Sequence, residues 1–369
     1  MSTTGPMVIF AGGGTGGTVG PGIAIAERLI ERQPDLGIRF LCSDRPVDGR
    51  LLDPDGWPST PLPARSPSIR PRAAIAFARG WVGTRRRVGR MLADLPGRAR
   101  VVALGGFVAP PVVAEAVRRG VPVDLVNLDA VAGRANRWVA SRATRVFSAV
   151  PTDLDLDHPP IGVPLRRAAI SAESPAEARS ELGLDPARST LLVTGASQGS
   201  RSLDRLLSDL VGRGGPVWSS WQVLHLAGDG VDEVTEAYRR AGVTAVVRPF
   251  LDRMGLAWSA ADLALSRGGA SSVAEIAMSR TPAIIVPYPW HADRHQARNA
   301  ASLEELGAVE IHDDPVFGDE AARNLAATLE AWMDDPDALD RRRASFPESM
   351  EDSATWLARA ILADPVTRR

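Results

Sequence analysis

The sequence predicts an α/β protein built from two parallel-sheet domains that face a shared cleft. Two glycine-rich loops carry this prediction, Ala11-Gly-Gly-Gly-Thr-Gly-Gly-Thr18 and Gly195-Ala-Ser-Gln-Gly-Ser200, because each directly follows an apolar run typical of a buried strand. A strand that leads through a glycine turn into a helix exposes backbone N–H groups at the positive end of that helix, which suits an anionic ligand. Two such loops half a chain apart indicate two nucleotide-type domains.

Length and composition agree with this fold class. The chain has 369 residues, 44% of them hydrophobic, which is enough for two domains with a core each. The formal net charge of −1 predicts no overall attraction for polyanions, although charge clusters locally. The single cysteine, Cys42, excludes an internal disulfide and a cysteine-rich zinc site and predicts a reducing compartment. The short polar start of the chain predicts neither a signal peptide nor a membrane span.

Apolar runs and helical periodicity alternate along both halves of the chain. Such alternation implies parallel sheets with helices on both faces, and ligands that bind beyond the carboxyl ends of the strands. The predicted strands are 7–10, 38–42, 101–104, 122–128, 144–150, 190–194, 222–226, 245–248, 262–265 and 283–286, and the clearest predicted helices are 21–32, 133–142, 233–240 and 273–279.

We predict a first domain over residues 1–160, a second over 161–348, and a last helix within 349–369 that crosses back to the first domain. The connection is placed at or just after 151–160, because prolines and aspartates make that stretch unsuited to packing.

The first glycine loop also satisfies a dinucleotide fingerprint. Gly12, Gly14 and Gly17 have the required spacing, and Asp44 ends the next predicted strand, where a ribose-binding acid would lie. The loop is denser in glycine than that fingerprint needs, and Pro21 keeps it long and open. A nicotinamide- or flavin-dependent enzyme remains an alternative at this point.

A third glycine segment, Ser266-Arg-Gly-Gly-Ala-Ser-Ser-Val-Ala-Glu275, follows the predicted strand 262–265. Its small residues allow a diphosphate to approach the backbone, and the Glu275 carboxylate could accept both hydroxyls of a ribose. The alternative is a capping box between Ser272 and Glu275, which would stabilise the helix by about 1 kcal/mol without any ligand.

Together these segments resemble the MurG family, the UDP-N-acetylglucosamine transferases that convert lipid I into lipid II in peptidoglycan synthesis. The resemblance spans nearly the whole chain in the family's order. It implies the GT-B architecture of two Rossmann-like domains, with no metal ion in the active site and no cofactor. Further resembling segments are Pro249-Phe-Leu-Asp-Arg-Met254 and Asp293-Arg-His-Gln-Ala-Arg-Asn299.

The resemblance also implies roles for individual residues. It puts the uracil near Phe250 and the backbone of Leu251, the ribose on Glu275, and the donor sugar hydroxyls at Gln296. The remaining assignments are Ala270, Ser271, Ser272, Ser197 and Arg166 for the donor diphosphate, and Thr15, Gly16 and Gly17 for the acceptor diphosphate and the reacting sugar.

The chain departs from the family pattern at several of these positions. Thr18 stands where the family has histidine, and threonine is no general base near neutral pH. The family's His-Glu-Gln-Asn segment is Val126-Asn-Leu-Asp129 here, so Asp129 replaces an asparagine that the family uses at the donor sugar. His295 replaces the first of two adjacent glutamines at the same sugar. Asp129 is the candidate base, with Thr18 as the other candidate catalytic position. The alternative for Asp129 is an ordinary solvent-facing loop residue.

The segment from Gly56 to Ala93 is basic: it contains no acidic residue, and its arginines alternate with apolar side chains. This pattern is typical of a helix at an anionic lipid surface, each arginine contributing about 1 kcal/mol. The alternative is an amphipathic helix packed on its own domain. Nucleic acid is not expected, because no aromatic stacking platform accompanies the arginines. The predicted membrane-facing residues are Phe77, Trp81, Arg85, Arg86 and Arg87.

The sequence thus predicts inverting, metal-independent transfer of N-acetylglucosamine from UDP-N-acetylglucosamine to lipid I, by a peripheral protein on the cytoplasmic face of the cell membrane. Two alternatives stay open: a related glycosyltransferase with another acceptor or donor sugar, and a non-catalytic descendant that binds nucleotide sugars.

Overall fold

The computed structural model describes residues 5–13, 16–45, 48–49, 52–53, 56–68, 70–95, 99–195, 199–290, 294–347 and 352–363. The chain divides into two compact units, one formed by Met1–Arg166 with Glu351–Arg369 and the other by Arg167–Met350. Each unit contains a six-stranded sheet whose paired strands run parallel. The predicted α/β fold class is therefore confirmed.

The first unit has the strand order β3-β2-β1-β4-β5-β6. The chain runs outward from β1 and then returns to place β4 on the other side of β1, so the order reverses between these two strands. The elements are strands β1 Met7–Ala11, β2 Gly37–Ser43, β3 Ser59–Leu62, β4 Ala99–Ala103, β5 Val123–Asn127 and β6 Arg145–Ser148, with helices α1 Gly16–Arg32, α2 Pro71–Ala93, α3 Ala109–Arg118 and α4 Arg134–Ala140.

The second unit repeats this topology, with the order β12-β11-β10-β7-β8-β9 and a reversal between β7 and β10. Its elements are strands β7 Ser189–Thr194, β8 Trp221–Leu226, β9 Ala245–Arg248, β10 Leu263–Ser266, β11 Ala283–Ile285 and β12 Val309–Ile311, with helices α5 Pro175–Leu182, α6 Arg201–Arg213, α7 Val217–Ser220, α8 Val231–Ala241, α9 Met254–Ala260, α10 Ala270–Ser279, α11 His295–Glu305, α12 Asp319–Asp334 and α13 Pro336–Ala344; the chain's last helix, α14, is Ser353–Ala363.

The strands of both sheets are buried because helices cover both faces. In β7, Leu191 and Val193 pack into one apolar cluster while Leu192 packs into the cluster on the opposite face. Strand β7, at the reversal point of the second sheet, is therefore covered by apolar side chains on both faces. Glycine loops follow the strands at each reversal point, and this edge of the sheet is where open α/β folds bind ligands.

Helix α14 belongs to the first unit and packs against α1. The Arg28 side chain of α1 is only 1% exposed, and it donates to the Asp352 carboxylate at 3.0 Å and to the Leu165 carbonyl at 3.1 Å. Ser353 donates to the Ile161 carbonyl at 2.5 Å. The buried Arg28 guanidinium thus connects α1 to the backbone at Leu165 and to Asp352, the residue before α14.

The prediction that 151–160 would not pack is wrong. Backbone hydrogen bonds join Asp157 N–H to the Val146 carbonyl and Ile161 N–H to the Ser148 carbonyl, and the Asp157 carboxylate accepts from Val146 N–H at 2.6 Å. Leu154 packs on the core of the first unit. The polar residues and prolines did not indicate this packing, because the segment follows the edge strand β6 without forming a regular strand.

Candidate active site

Helix α10 begins beyond β10, at the reversal point of the second sheet. Its N-cap, Gly269, has extended backbone angles (φ −63°, ψ 146°) and no side-chain capping hydrogen bond. Ser272 is therefore the third helical residue, and the alternative of a capping box between Ser272 and Glu275 is not formed. Ala270, Ser271 and Ser272 are half-buried and make up the first turn, where backbone N–H groups and the helix dipole favour an anion.

Glu275 lies in the second turn of α10 and is half-buried. Its Oε2 atom accepts a hydrogen bond of 2.8 Å from the indole Nε1–H of Trp258 in α9. Trp258 is 2% exposed and belongs to the apolar core of the unit. The carboxylate is thus oriented by a neutral donor that the core holds in place.

Arg267 connects the loops at this edge of the sheet. Its side chain is 8% exposed and pairs with the fully buried carboxylate of Asp314 at 2.5 Å. It also donates to Ser200 Oγ at 2.6 Å and to the Val286 carbonyl at 3.0 Å. Asp314 in turn accepts from Ser202 Oγ at 2.9 Å. The loops after β7, β10, β11 and β12 therefore converge on one guanidinium.

The start of α11 packs tightly on the glycine loop after β10. A Cβ atom on Gly268 would lie 2.4 Å from the Gln296 carbonyl oxygen, so this position has no room for a side chain. Asn299, 6% exposed, donates to the Gly268 carbonyl at 3.2 Å. The side-chain oxygen of Gln296 accepts a hydrogen bond from Tyr288 N–H at 2.8 Å. The amide nitrogen of Gln296 takes no part in that bond. His295, the first residue of α11, is half-buried.

The predicted uracil contacts lie between β9 and α9. Phe250 is 50% exposed, whereas Leu251 is 9% exposed and packs in the core. An exposed aromatic ring is suited to stacking on a base. Arg166, the last residue of the first unit, is half-buried, and Ser197 lies outside the described residues.

In the first unit, the loops after β1 and β4 approach each other closely. Gly106 has φ +71°, and a Cβ atom there would lie 2.7 Å from the Gly13 carbonyl oxygen. Gly16 and Gly17 begin α1, and Thr18 follows in its first turn. Gly14 and Thr15 lie outside the described residues.

Asp129 follows β5 and is half-buried. Its backbone carbonyl accepts a 2.8 Å hydrogen bond from Nδ2 of Asn127, a side chain with no exposed surface. The same Nδ2 donates to Ser148 Oγ at 3.0 Å, and Asn136 Nδ2 donates to Asn127 Oδ1 at 2.9 Å. This buried amide network fixes the turn that carries Asp129 beside β6 and α4.

Helix α2 presents arginines and two apolar residues to the surface. Ile75 is 55% exposed and Val82 is 47% exposed. Phe77 and Trp81 are half-buried, and the Trp81 ring meets the Trp138 ring edge-on at 5.9 Å between centroids.

The three arginines predicted to face a membrane differ in their surroundings. Arg86 and Arg87 are exposed, whereas Arg85 donates to the buried Glu115 carboxylate at 3.3 Å. Hydrogen bonds from Arg118, Arg119 and Arg85 lower the pKa of Glu115 to about 2 against the effect of burial. Glu115 is therefore ionised at neutral pH and balances only part of the positive charge around it.

Two features are absent from the described residues. No helix in that part of the chain is long and apolar enough to cross a bilayer. The described histidine, cysteine and acidic side chains form no group of three or more with the arrangement of a metal site.

Two family models match the chain, the glycosyltransferase family 28 N-terminal domain over residues 8–148 and its C-terminal domain over residues 190–355. A protein of Acidothermus cellulolyticus named UDP-N-acetylglucosamine--N-acetylmuramyl-(pentapeptide) pyrophosphoryl-undecaprenol N-acetylglucosamine transferase is 37% identical over 338 residues, 87% of this chain and 88% of the relative. A Clavibacter michiganensis protein of the same name is 36% identical over 375 residues, 98% and 97% of the two chains. The chain belongs to the MurG family.

Solved structures agree on the fold of this MurG-family chain. MurG of Acinetobacter baumannii aligns with a TM-score of 0.71 and 24% identity over 98% of this chain and 99% of that one. The UDP-GlcNAc 2-epimerase of Neisseria meningitidis, solved with UDP-GlcNAc bound, aligns with a TM-score of 0.62 and 9% identity over 98% and 100% of the two chains. The predicted GT-B fold is confirmed, and the chain is a glycosyltransferase by family. This family assignment decides against the dinucleotide-dependent alternative.

Replacing Arg267 by methionine is expected to destabilise the second unit by about 3–5 kcal/mol, because the Asp314 carboxylate would remain buried without its cation. Urea unfolding followed by tryptophan fluorescence measures the change. Arg253→Met is the matched control, since Arg253 pairs with Glu173 and Glu181 at the surface and exposed pairs contribute about 0–1 kcal/mol. Equal stability of the two variants would contradict the central role of Arg267.

Proposed function

We propose that this chain transfers N-acetylglucosamine from UDP-N-acetylglucosamine to lipid I, the undecaprenyl-diphosphate-linked muramyl pentapeptide, and so makes lipid II for peptidoglycan synthesis. The observation that carries the proposal is the likeness to proteins with this named activity, which extends over 98% of the chain at 34–36% identity. The geometry of the second unit supports it, because a helix N-terminus and an oriented carboxylate suit a nucleoside diphosphate.

The donor would bind the second unit. Ribose hydroxyls would donate to Glu275, the uracil would stack near Phe250 beside the Leu251 backbone, and the sugar would meet Gln296 and His295. The first turn of α10, Ala270 to Ser272, would bind the diphosphate, with Ser197 and Arg166 as further ligands. Negative charge develops on this diphosphate as UDP leaves, so N–H groups, hydroxyls and an arginine would stabilise it without a metal ion.

The acceptor would bind the first unit near Thr15, Gly16 and Gly17. In the proposed step, the acceptor hydroxyl oxygen attacks the anomeric carbon while the bond from that carbon to the UDP oxygen breaks, which inverts the configuration. The hydroxyl proton passes to the Asp129 carboxylate, and Thr18 lies on the first turn of α1 as a hydrogen-bonding group. Asn127 supports this role for Asp129 because it holds the backbone of the turn.

The exposed face of α2 would bind the membrane that carries the acceptor. Arg86 and Arg87 would contact anionic headgroups, and Ile75 and Val82 would enter the interface. Phe77 and Trp81 would support this face through their packing, and Arg85 would add to its charge. We place the protein at the cytoplasmic face of the membrane.

Incubation with labelled UDP-N-acetylglucosamine and a short-chain lipid I analogue is expected to give labelled lipid II analogue and one UDP per transfer. Product is measured by chromatography and UDP by a coupled assay. Donor binding with no transfer to lipid I would contradict the proposal, and screening other hydroxyl acceptors would then separate a changed acceptor from lost catalysis.

Asp129→Asn is expected to lower kcat about 100- to 10,000-fold, the range of general base catalysis. The affinity for UDP should stay the same, because none of the proposed contacts to the nucleotide involves Asp129. Asp153→Asn serves as the control, since Asp153 is an exposed carboxylate of the first unit that pairs with Arg137. A wild-type kcat in Asp129→Asn would exclude Asp129 as the base.

Binding to vesicles that contain anionic phospholipid should weaken as salt rises, and it should weaken about 30-fold in the double variant Arg86→Ser/Arg87→Ser, at about 1 kcal/mol for each arginine. Sedimentation with sucrose-loaded vesicles measures this. Arg239→Ser/Arg240→Ser removes an adjacent exposed pair from the second unit and should bind like wild type. Equal losses in both double variants would argue for non-specific attraction instead of an interface on α2.

A further inference from the structure

The Trp258 side chain presents its one polar atom to Glu275. The indole is 2% exposed and packs in the apolar core between α9 and α10, so its position is set by the core. Its Nε1–H can donate but cannot accept, and it donates to Glu275 Oε2 at 2.8 Å. The direction of this hydrogen bond is therefore fixed.

A carboxylate on a half-buried glutamate can rotate about its side-chain torsions, and immobilising such a side chain costs free energy when a ligand binds. A carboxylate that is already oriented avoids much of that cost. The two oxygens of a carboxylate offer several acceptor positions, and the indole bond uses one of them, on Oε2. Because the indole is neutral, it orients the carboxylate without adding a formal positive charge beside it.

These contacts suit recognition of a vicinal diol. Two neighbouring hydroxyls of a ribose donate best to a carboxylate whose plane is held toward them, and a rotated carboxylate would reach one hydroxyl at a time. Glu275 is one turn beyond the start of α10, so a diol bound there would place the attached phosphates toward the first turn of the helix.

We propose that Trp258 is a positioning residue for the nucleotide ribose, which it selects by holding the Glu275 carboxylate in the orientation that accepts both hydroxyls. The inference rests on the proposed donor site. It assigns Trp258 a role in telling ribose from deoxyribose, in addition to its place in the core.

The test compares UDP with 2′,3′-dideoxy-UDP by calorimetry. In Trp258→Phe, affinity for UDP should fall about ten-fold, the lower end of the effect of a hydrogen bond to a charged group, while affinity for the dideoxy nucleotide should hardly change. A merely structural role would weaken both nucleotides equally and leave their ratio unchanged, which would overturn the inference. Thermal denaturation checks that the variant is folded at the assay temperature.

The matched control is Trp218→Phe. Trp218 is another buried tryptophan of the second unit, 5% exposed, and it belongs to the core cluster on the other face of the sheet. Replacing its indole by a phenyl ring should leave the ratio of UDP to dideoxy-UDP affinity at the wild-type value. A lower ratio in this control would show that any loss of a core indole has the effect, and it would overturn the specific role of Trp258.

Glu275→Ala separates failure of this inference from failure of the donor site. If Glu275→Ala leaves the nucleotide ratio unchanged, the proposed ribose contact itself is wrong. If Glu275→Ala lowers the ratio and Trp258→Phe does not, the donor site stands and the inference about Trp258 fails.

A measurement on the unaltered core covers the case in which Trp258→Phe does not fold. In protein with isotopically labelled tryptophan, the indole N–H signal of Trp258 is the one that Glu275→Ala displaces. UDP should move this signal, and dideoxy-UDP should move it much less. Equal responses to the two nucleotides would overturn the inference.

Discussion

The buried ion pair between Arg267 and Asp314 is the constraint on which the donor half of this protein depends. A guanidinium and a carboxylate lose their hydration when they are buried, and the pair is tolerated only when further hydrogen bonds satisfy the remaining polar atoms. Here Ser200, Ser202 and the carbonyl of Val286 supply them. The loops after four different strands are thereby joined before any ligand arrives.

The two units share a topology but stabilise their glycine loops differently. In the second unit a charged group and hydroxyls bind the loops together around α10. In the first unit the loops meet through backbone contact at Gly13 and Gly106, and neutral amides of Asn127 and Asn136 hold the turn at Asp129. This network is uncharged, so Asp129 is the acidic residue of that turn. The same turn is where the chain departs from the family's usual residues.

Much of the architecture could be predicted from the sequence, because buried parallel strands produce apolar runs and the loops at the reversal points need glycine. The edge strands β3 and β12 were missed, since a four-residue strand containing Pro61 and a three-residue strand have little periodicity. The packed course of 151–160 was missed for a related reason, because polar composition does not show where backbone groups find partners.

The candidate residues of the donor site were found through glycine spacing and family resemblance, but their supports were not. Arg267 and Asp314 are 47 residues apart, and Trp258 and Glu275 are 17 apart, so no local pattern pairs them. An arginine directly after an apolar strand and before two glycines was the one available signal for Arg267. The apparent capping box at Ser272 misled because the helix begins at Ala270, two residues earlier.

The most direct test of a donor site organised in advance by Arg267 is amide hydrogen exchange of the protein with and without UDP. The account predicts that segments 266–273 and 311–317 exchange slowly without nucleotide, and that UDP adds protection mainly at the start of α10. Fast exchange of both segments without UDP, with protection throughout once UDP is added, would mean that the ligand and not Arg267 orders these loops, and it would contradict the account.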